Sequence, residues 1–95
     1  MKNTFDVFIV YDSVDSCSAF GEDDKFYFKL FKLIGKEANE NILKNKQIEN
    51  NWTFKTIEQA LMASKKLKKF KRIKYITIYQ MEEGQKEPVG EIKIR

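Results

Sequence analysis

The sequence predicts an α+β domain: a small, mainly antiparallel sheet of about three or four strands with two helices packed on one face. Three observations lead to this fold class. The 95 residues suffice for a single domain. Hydrophobic residues make up 42% of the chain, which is typical of a folded protein. Strand-like and helix-like apolar patterns follow one another in the order strand, helix, unassigned segment, helix, strand, strand.

The first strand is predicted at residues 4–11, where aromatic and β-branched side chains are dense. Alternation gives two largely apolar faces, one with Phe5, Val7, Ile9 and Tyr11 and the other with Phe8 and Val10. We therefore expect this strand to be central in the sheet. Residues 12–22 are predicted to be a loop, because their Asp and Ser side chains favour turns over regular structure.

Residues 23–37 are compatible with a helix or a strand, and we favour the helix. A helix places four lysines on one stripe (Lys25, Lys29, Lys32, Lys36) and four apolar residues on the inner side (Phe26, Leu30, Leu33, Ile34). A strand would suit the β-propensity of residues 26–28 but would scatter the lysines over both faces. The polar residues 38–52 predict only a short helix or an irregular hairpin.

The second helix is predicted at residues 56–70. Thr56 is its candidate N-cap, and Gln59 completes a capping-box pattern. The expected buried stripe is Ile57, Ala60, Leu61, Ser64 and Leu67. The opposite stripe contains Met62 and several lysines.

Two strands, at residues 73–81 and 89–95, are predicted to form a C-terminal β-hairpin around the turn-rich residues 82–88. Tyr75, Thr77 and Tyr79 share one face of the first of these strands. We expect them to pack under a helix or across strands, and stacking of single-stranded bases is the alternative.

Several chemistries are excluded by composition. The chain has no histidine and one cysteine, Cys17, so it lacks histidine-based catalysis, an internal disulfide and a cysteine-histidine zinc site. We expect no cofactor, no metal and no catalytic residues. Because no signal peptide or transmembrane segment is visible, we expect a cytoplasmic protein. The high share of Lys, Ile and Asn suggests an AT-rich bacterial genome, phage or plasmid.

Charge is segregated along the chain, although the net charge is only +4. The segment 3–24 is acidic and has no base, and five of its acids follow the first strand: Asp12, Asp15, Glu22, Asp23 and Asp24. The segment 65–74 has no acid and seven bases: Lys65, Lys66, Lys68, Lys69, Lys71, Arg72 and Lys74. We expect these two segments to form separate, solvent-facing poles.

The basic segment predicts a non-enzymatic accessory protein that contacts the DNA or RNA backbone, because clustered ammonium groups displace counterions from phosphates. The alternative is a phage- or plasmid-type inhibitor or regulator that imitates nucleic acid. Its acidic segment would then bind the basic cleft of a host protein. The oligomeric state is open, and a homodimer is as compatible with the sequence as a monomer.

A third hypothesis is a metal-dependent nuclease, in which Asp12 and Asp15 would hold a divalent cation. The strand-terminal Tyr11-Asp12 resembles the strand-terminal Asp of small ferredoxin-like endoribonucleases of the CRISPR-adaptation and toxin type. The resemblance covers one strand and its last residue, and the two middle strands of those enzymes are not predicted in residues 38–55. We therefore assign no family.

Overall fold

The computed structural model describes residues 2–15, 21–39 and 41–95, and of residues 41–44 only the backbone. Along these residues lie β1 (Asn3–Asp12), α1 (Glu22–Ile34), β2 (Asn41–Lys44), β3 (Gln47–Phe54), α2 (Ile57–Leu67), β4 (Ile73–Glu82) and β5 (Gly90–Lys93). The predicted loop at residues 12–22 is therefore seen only at its two ends. Residues 16–20, which include Cys17, lie outside the described part of the chain.

The strands form one antiparallel sheet in the order β2-β3-β1-β4-β5, with both helices against the same face. The α+β class, the central position of β1 and the C-terminal hairpin of β4 and β5 are confirmed. The sheet consists of four strands and the short C-terminal strand β5, and the segment that we could not assign supplies both β2 and β3. Neither helix in the described part of the chain combines the length and apolar character needed to cross a bilayer.

The hairpin of β2 and β3 is regular rather than irregular, and the alternative of a short helix at residues 38–52 is wrong. Two residues, Asn45 and Lys46, connect the strands, and their φ angles are +52° and +63°. This left-handed pair gives a two-residue loop the twist that joins antiparallel strands. The asparagines of β3 have low strand propensity, but pairing with β1 over eight positions outweighs it.

With this hairpin, the first four strands and two helices have the βαββαβ order of split βαβ, or ferredoxin-like, domains. The two middle strands missing from the sequence-based comparison are thus present. A fold of this kind supports many unrelated functions, so it identifies no activity. Its relevance here is that, among the described residues, both helices lie on one face of the sheet and the other face has none.

The core lies between the sheet and the helices. Each inward-facing residue of β1 is flanked by a residue from each neighbouring strand: Val7 lies between Trp52 and Ile78, and Ile9 between Asn50 and Ile76. The helices contribute large side chains from α1 (Phe26, Leu30) and mostly small ones from α2 (Ala60, Ala63, Ser64, Leu67). Each large apolar side chain buried in this way stabilises the fold by about 1.5–3 kcal/mol.

Both helices form where the sequence indicates, with corrections at their ends. Helix α1 ends at Ile34 because Gly35 adopts a left-handed conformation, with φ of +85°. The Gly35 amide donates a hydrogen bond to the Phe31 carbonyl oxygen and so completes the last turn. In α2 the Thr56 side chain accepts a hydrogen bond from the Gln59 amide, so the predicted cap is confirmed.

Helix α2 differs from its prediction in length and in one buried position. It ends at Leu67 rather than residue 70, because turns at residues 68–72 bring Phe70 onto the core and lead into β4. Leu61 is 42% exposed, and Ala63 is buried in the stripe where Leu61 was expected.

Candidate nucleic-acid interface

The acidic and basic segments meet in the structure, so the expectation of two separate poles is wrong. Their junction is the Asp23 carboxylate, which accepts hydrogen bonds from Ser13 Oγ at 2.5 Å, from the Val14 amide at 3.0 Å and from the Asp15 amide at 3.4 Å. The same carboxylate forms an ion pair with Arg72. Asp23 therefore fastens the start of α1 to the end of β1 and to the start of β4.

The pKa of Asp23 reflects two opposing effects. Burial by itself raises the pKa of the carboxyl group, but the hydrogen bonds from Ser13, Val14, Arg72 and Asp15 outweigh it, so the pKa lies below its ordinary value. The charged form is thus the one that the surrounding groups stabilise. A carboxylate held in this way contributes to folding and is not free to meet a partner.

Arg72 is a structural residue as well. Its Nη2 atom donates to the Asp12 carbonyl oxygen at 3.1 Å, in addition to the ion pair with Asp23. The guanidinium carbon lies 4.7 Å from the ring centre of Phe26 and 5.2 Å from that of Tyr11, within the range of a cation–π contact. Only 23% of the side chain is exposed.

Lys74 is paired with Asp12 at the same end of the sheet. The register of β1 and β4 shifts between Val10 and Tyr11, and the shift leaves Lys74 without a partner in the strand pairing, as a bulge does. The Nζ atom of Lys74 lies 2.9 Å from Asp12 Oδ2. The hydrogen bond between them lowers the pKa of Asp12 and raises the pKa of Lys74.

Asp15 caps α1 from outside the helix. Its carboxylate accepts the Glu22 amide at 3.0 Å and the Asp23 amide at 2.8 Å, whereas the N-cap residue Gly21 has no side chain to do so. A Cβ atom at residue 21 would overlap the Asp15 carboxylate, which explains the glycine.

Asp15→Ala is expected to lower the free energy of unfolding by about 1 kcal/mol, the usual loss for a removed helix cap. Gly21→Ala is expected to destabilise the fold to a similar degree, because it displaces the same carboxylate. Urea denaturation measures both. The double variant should be little worse than either single variant, and fully additive losses would contradict a shared cap.

These contacts leave few of the predicted acidic residues available to a partner. Glu22 is exposed and lies 3.3 Å from Lys25, and Asp24 is half-buried. The described residues contain no group of three or more acidic or cysteine side chains placed to hold a metal ion. Asp12 and Asp15, the pair expected in a nuclease, instead bind Lys74 and the α1 amides.

Five of the predicted basic residues are exposed and, unlike Lys74, are not held by a carboxylate of the described residues: Lys65, Lys66, Lys68, Lys69 and Lys71. We call them the lysine cluster. Within the described part of the chain none of them forms an ion pair, although Lys69 lies 5.4 Å from the ring centre of Phe70. Helix α1 adds exposed lysines at 25, 29 and 32. The helical layer is therefore rich in lysine.

A groove between α1 and α2 continues this basic surface, and the sequence did not indicate it. It has a volume of about 550 Å³. Three lysines from separate parts of the chain line it (Lys36, Lys55, Lys66), together with the apolar side chains of Ile34, Phe54 and Met62. Lys36 and Met62 were noted only as members of helical stripes, and Lys55 lies just before the N-cap of α2, so no local motif connects them.

The sheet face opposite the helices carries the aromatic residues singled out in the sequence. Tyr79 packs edge-to-face with Phe8, with ring centres 5.8 Å apart, which confirms packing across strands for that residue. Tyr75 is 55% exposed, and the same face carries Thr77. None of the three lies under a helix. Asp6 and Glu91 lie opposite Tyr79 on the two neighbouring strands. Glu49 lies in the same cross-strand row as Tyr75, on the far side of Val10, so this face has acidic as well as aromatic character.

Comparisons of the chain with protein-family models, with curated proteins and with solved structures find no match.

Proposed function

We propose that this protein binds the phosphate backbone of nucleic acids through its helical layer, with the lysine cluster as the main contact. The observation that carries the proposal is the exposure of all five lysines, with no carboxylate paired to them in the described part of the chain. Exposed, unpaired ammonium groups gain affinity for a polyanion by releasing its bound counterions.

The ion pairs elsewhere support this arrangement. Two acids of the acidic segment contact the basic segment. Asp12 pairs with Lys74, and Asp23 pairs with Arg72. Arg72 and Lys74 are thus lost from the predicted interface, and the other five basic residues form no ion pair with the described residues. The interface that we propose is smaller than the sequence suggested, but it is not internally neutralised.

The binding that we propose is not specific for base sequence. Arginine is the side chain best suited to read guanine, and the chain has two arginines. Arg72 is held by Asp23, and Arg95 donates to the backbone carbonyls of Phe70 and Ile73 at 2.7 and 2.8 Å, and also to that of Lys68. Both guanidinium groups therefore serve the fold. Lysines alone contact phosphates as point charges and carry little sequence information.

The inhibitor hypothesis has less support from the geometry. Four of its five acidic residues already bind cations or amides of the same chain: Asp12, Asp15, Glu22 and Asp23. A partner would have to break these contacts to use the carboxylates.

Charge reversal of three cluster residues, Lys65→Glu, Lys68→Glu and Lys69→Glu together, is expected to abolish binding to a labelled oligonucleotide at low salt. For the unchanged protein, affinity should fall steeply with salt. Each lysine replaced singly by Gln should make the slope of log affinity against log salt shallower by about one. Fluorescence anisotropy measures both quantities.

The matched control reverses three exposed lysines away from the helical layer: Lys2, Lys86 and Lys93. Both triple variants change the net charge equally, so only a position-dependent interface predicts that the control still binds. Equal loss in the two variants would show attraction by net charge alone. Absence of binding to any DNA or RNA by the unchanged protein at low salt would refute the proposal.

A further inference from the structure

We propose that the groove between α1 and α2 seats one unstacked nucleotide, so that the protein prefers single-stranded nucleic acid to duplex. This inference rests on the proposed function and adds its substrate class. The phosphate would lie against Lys55 and Lys66, and the base would lie on the apolar floor formed by Ile34, Phe54 and Met62.

The groove is suited to an anion. Among the residues that the structure describes, no acidic side chain lines it, and its three lysines come from three parts of the chain: the residues after α1, the residue before the α2 cap, and the body of α2. Lys55 and Lys66 are exposed and, among the described residues, have no ion-pair partner. An incoming phosphate therefore displaces no carboxylate.

Lys36 has a different role, because its ammonium group is already positioned. It donates to the Thr53 carbonyl oxygen and lies 4.1 Å from the ring centre of Phe54. These contacts hold one positive charge at the wall of the groove before any ligand arrives. A fixed charge loses little side-chain entropy on binding, which favours affinity.

The groove also has an apolar part that a phosphate alone would not contact. Its volume of about 550 Å³ lies within the range of small-ligand sites. Met62, one of the three apolar lining residues, is 63% exposed, which leaves an apolar side chain open to a ligand. A nucleotide joins an apolar base face to a phosphate, and this combination matches an apolar floor with lysines at its rim.

This combination of apolar and basic side chains favours single-stranded nucleic acid over duplex. Bases in a duplex are stacked and paired, so their faces cannot reach an apolar floor, whereas a single strand can turn one base outward. Lys66 belongs both to the groove and to the lysine cluster, so a strand seated in the groove could continue along α2. The aromatic sheet face is the weaker candidate for a base, because Asp6, Glu49 and Glu91 lie in its cross-strand rows and would repel phosphates.

The test compares Met62→Ser with Leu61→Ser, two exposed apolar residues at neighbouring positions of α2, of which only Met62 lines the groove. Binding of oligo(dT) and of a duplex of equal length is measured by anisotropy. We expect the unchanged protein to prefer oligo(dT) by about 10-fold. Met62→Ser should remove most of that preference with little change in duplex affinity, and Leu61→Ser should leave both affinities unchanged.

A second measurement locates the ligand without a variant. Trp52 is the one tryptophan in the chain, and its indole Nε1 donates to the Lys36 carbonyl oxygen at 3.0 Å, next to the groove. We expect oligo(dT) to change its fluorescence, and the single variants Lys65→Gln and Lys69→Gln, which lie outside the groove, to reach the same end point at higher concentration.

Equal affinity for the two nucleic acids, with no effect of Met62→Ser, would overturn the groove assignment while the lysine-cluster result still supported phosphate binding. Tighter binding of poly-glutamate or of anionic lipid vesicles than of oligo(dT) would also overturn it, since the groove would then select another class of anion. Loss of all nucleic-acid binding would instead remove the proposed function itself.

Discussion

Replacing Arg72 with Ala is expected to lower the free energy of unfolding by about 3 kcal/mol, although the residue lies within a predicted binding segment. The change leaves the Asp23 carboxylate, 14% exposed, without its ion-pair partner. It also removes the hydrogen bond to the Asp12 carbonyl and the contacts with the rings of Tyr11 and Phe26. Urea denaturation followed by circular dichroism measures the loss.

A double-mutant cycle separates the ion pair from the packing. Arg72→Met keeps much of the apolar contact, and Asp23→Asn keeps part of the hydrogen bonding to Ser13 and Val14. If the pair itself is stabilising, the two changes together should cost less than the sum of the single changes. Strict additivity would show that Arg72 acts only through its other contacts, which are the hydrogen bond to the Asp12 carbonyl and the contacts with the rings.

The pH dependence has a defined sign. The pKa of Asp23 is lower in the folded chain than its ordinary value of 3.8, so its contribution to stability is fully present above that value. The contribution is lost as the pH falls through the folded pKa. Between about pH 5 and pH 2, the unchanged protein should therefore lose more stability than Asp23→Asn. Parallel loss in the two proteins would contradict a stabilised carboxylate at this position.

Binding measurements complete the distinction between a structural and a functional role for Arg72. At a temperature where Arg72→Met remains folded, its affinity for oligonucleotides should fall far less than that of the triple variant at Lys65, Lys68 and Lys69. An equally large loss of affinity would show that Arg72 contacts the nucleic acid directly.

Much of the fold could be predicted from local patterns. The alternation in β1 and the capping box at Thr56 each encode an element within a few residues, so both are visible in the sequence. The hairpin of β2 and β3 is different, since its asparagines disfavour strands and its stability comes from pairing with β1. A strand that is stabilised by pairing with a distant segment need not have a strand-like local sequence.

The candidate site was only partly predictable for a related reason. Exposure of the lysine cluster follows from a charged run at the end of a helix, a short-range pattern. The ion pair of Asp23 with Arg72 joins residues separated by 49 positions, and the groove joins Lys36, Lys55 and Lys66 from three separate parts of the chain. The fold brings these side chains together, so their roles become visible only when the topology is known.

Trp52 is expected to be the most sensitive position in the core, with a loss of about 3–5 kcal/mol for Trp52→Ala. Its side chain is fully buried, pairs in register with Val7 of the central strand and bonds to the Lys36 carbonyl oxygen. Small domains are stable by only about 5–15 kcal/mol, so this variant should be largely unfolded at moderate urea concentrations. Because the variant lacks the only tryptophan, unfolding must be followed by circular dichroism.

Trp52→Phe distinguishes the two contributions of the indole. It keeps most of the buried ring and removes the hydrogen bond to Lys36, so we expect a loss of about 1–2 kcal/mol. Tyr75→Ala, at an exposed aromatic position of β4, is the control and should cost well under 1 kcal/mol. If Trp52→Ala cost no more than Tyr75→Ala, the packing described for β3 would be wrong. If Trp52→Phe also weakened oligo(dT) binding while duplex binding persisted, the hydrogen bond from Trp52 to Lys36, just after α1, would contribute to the shape of the groove.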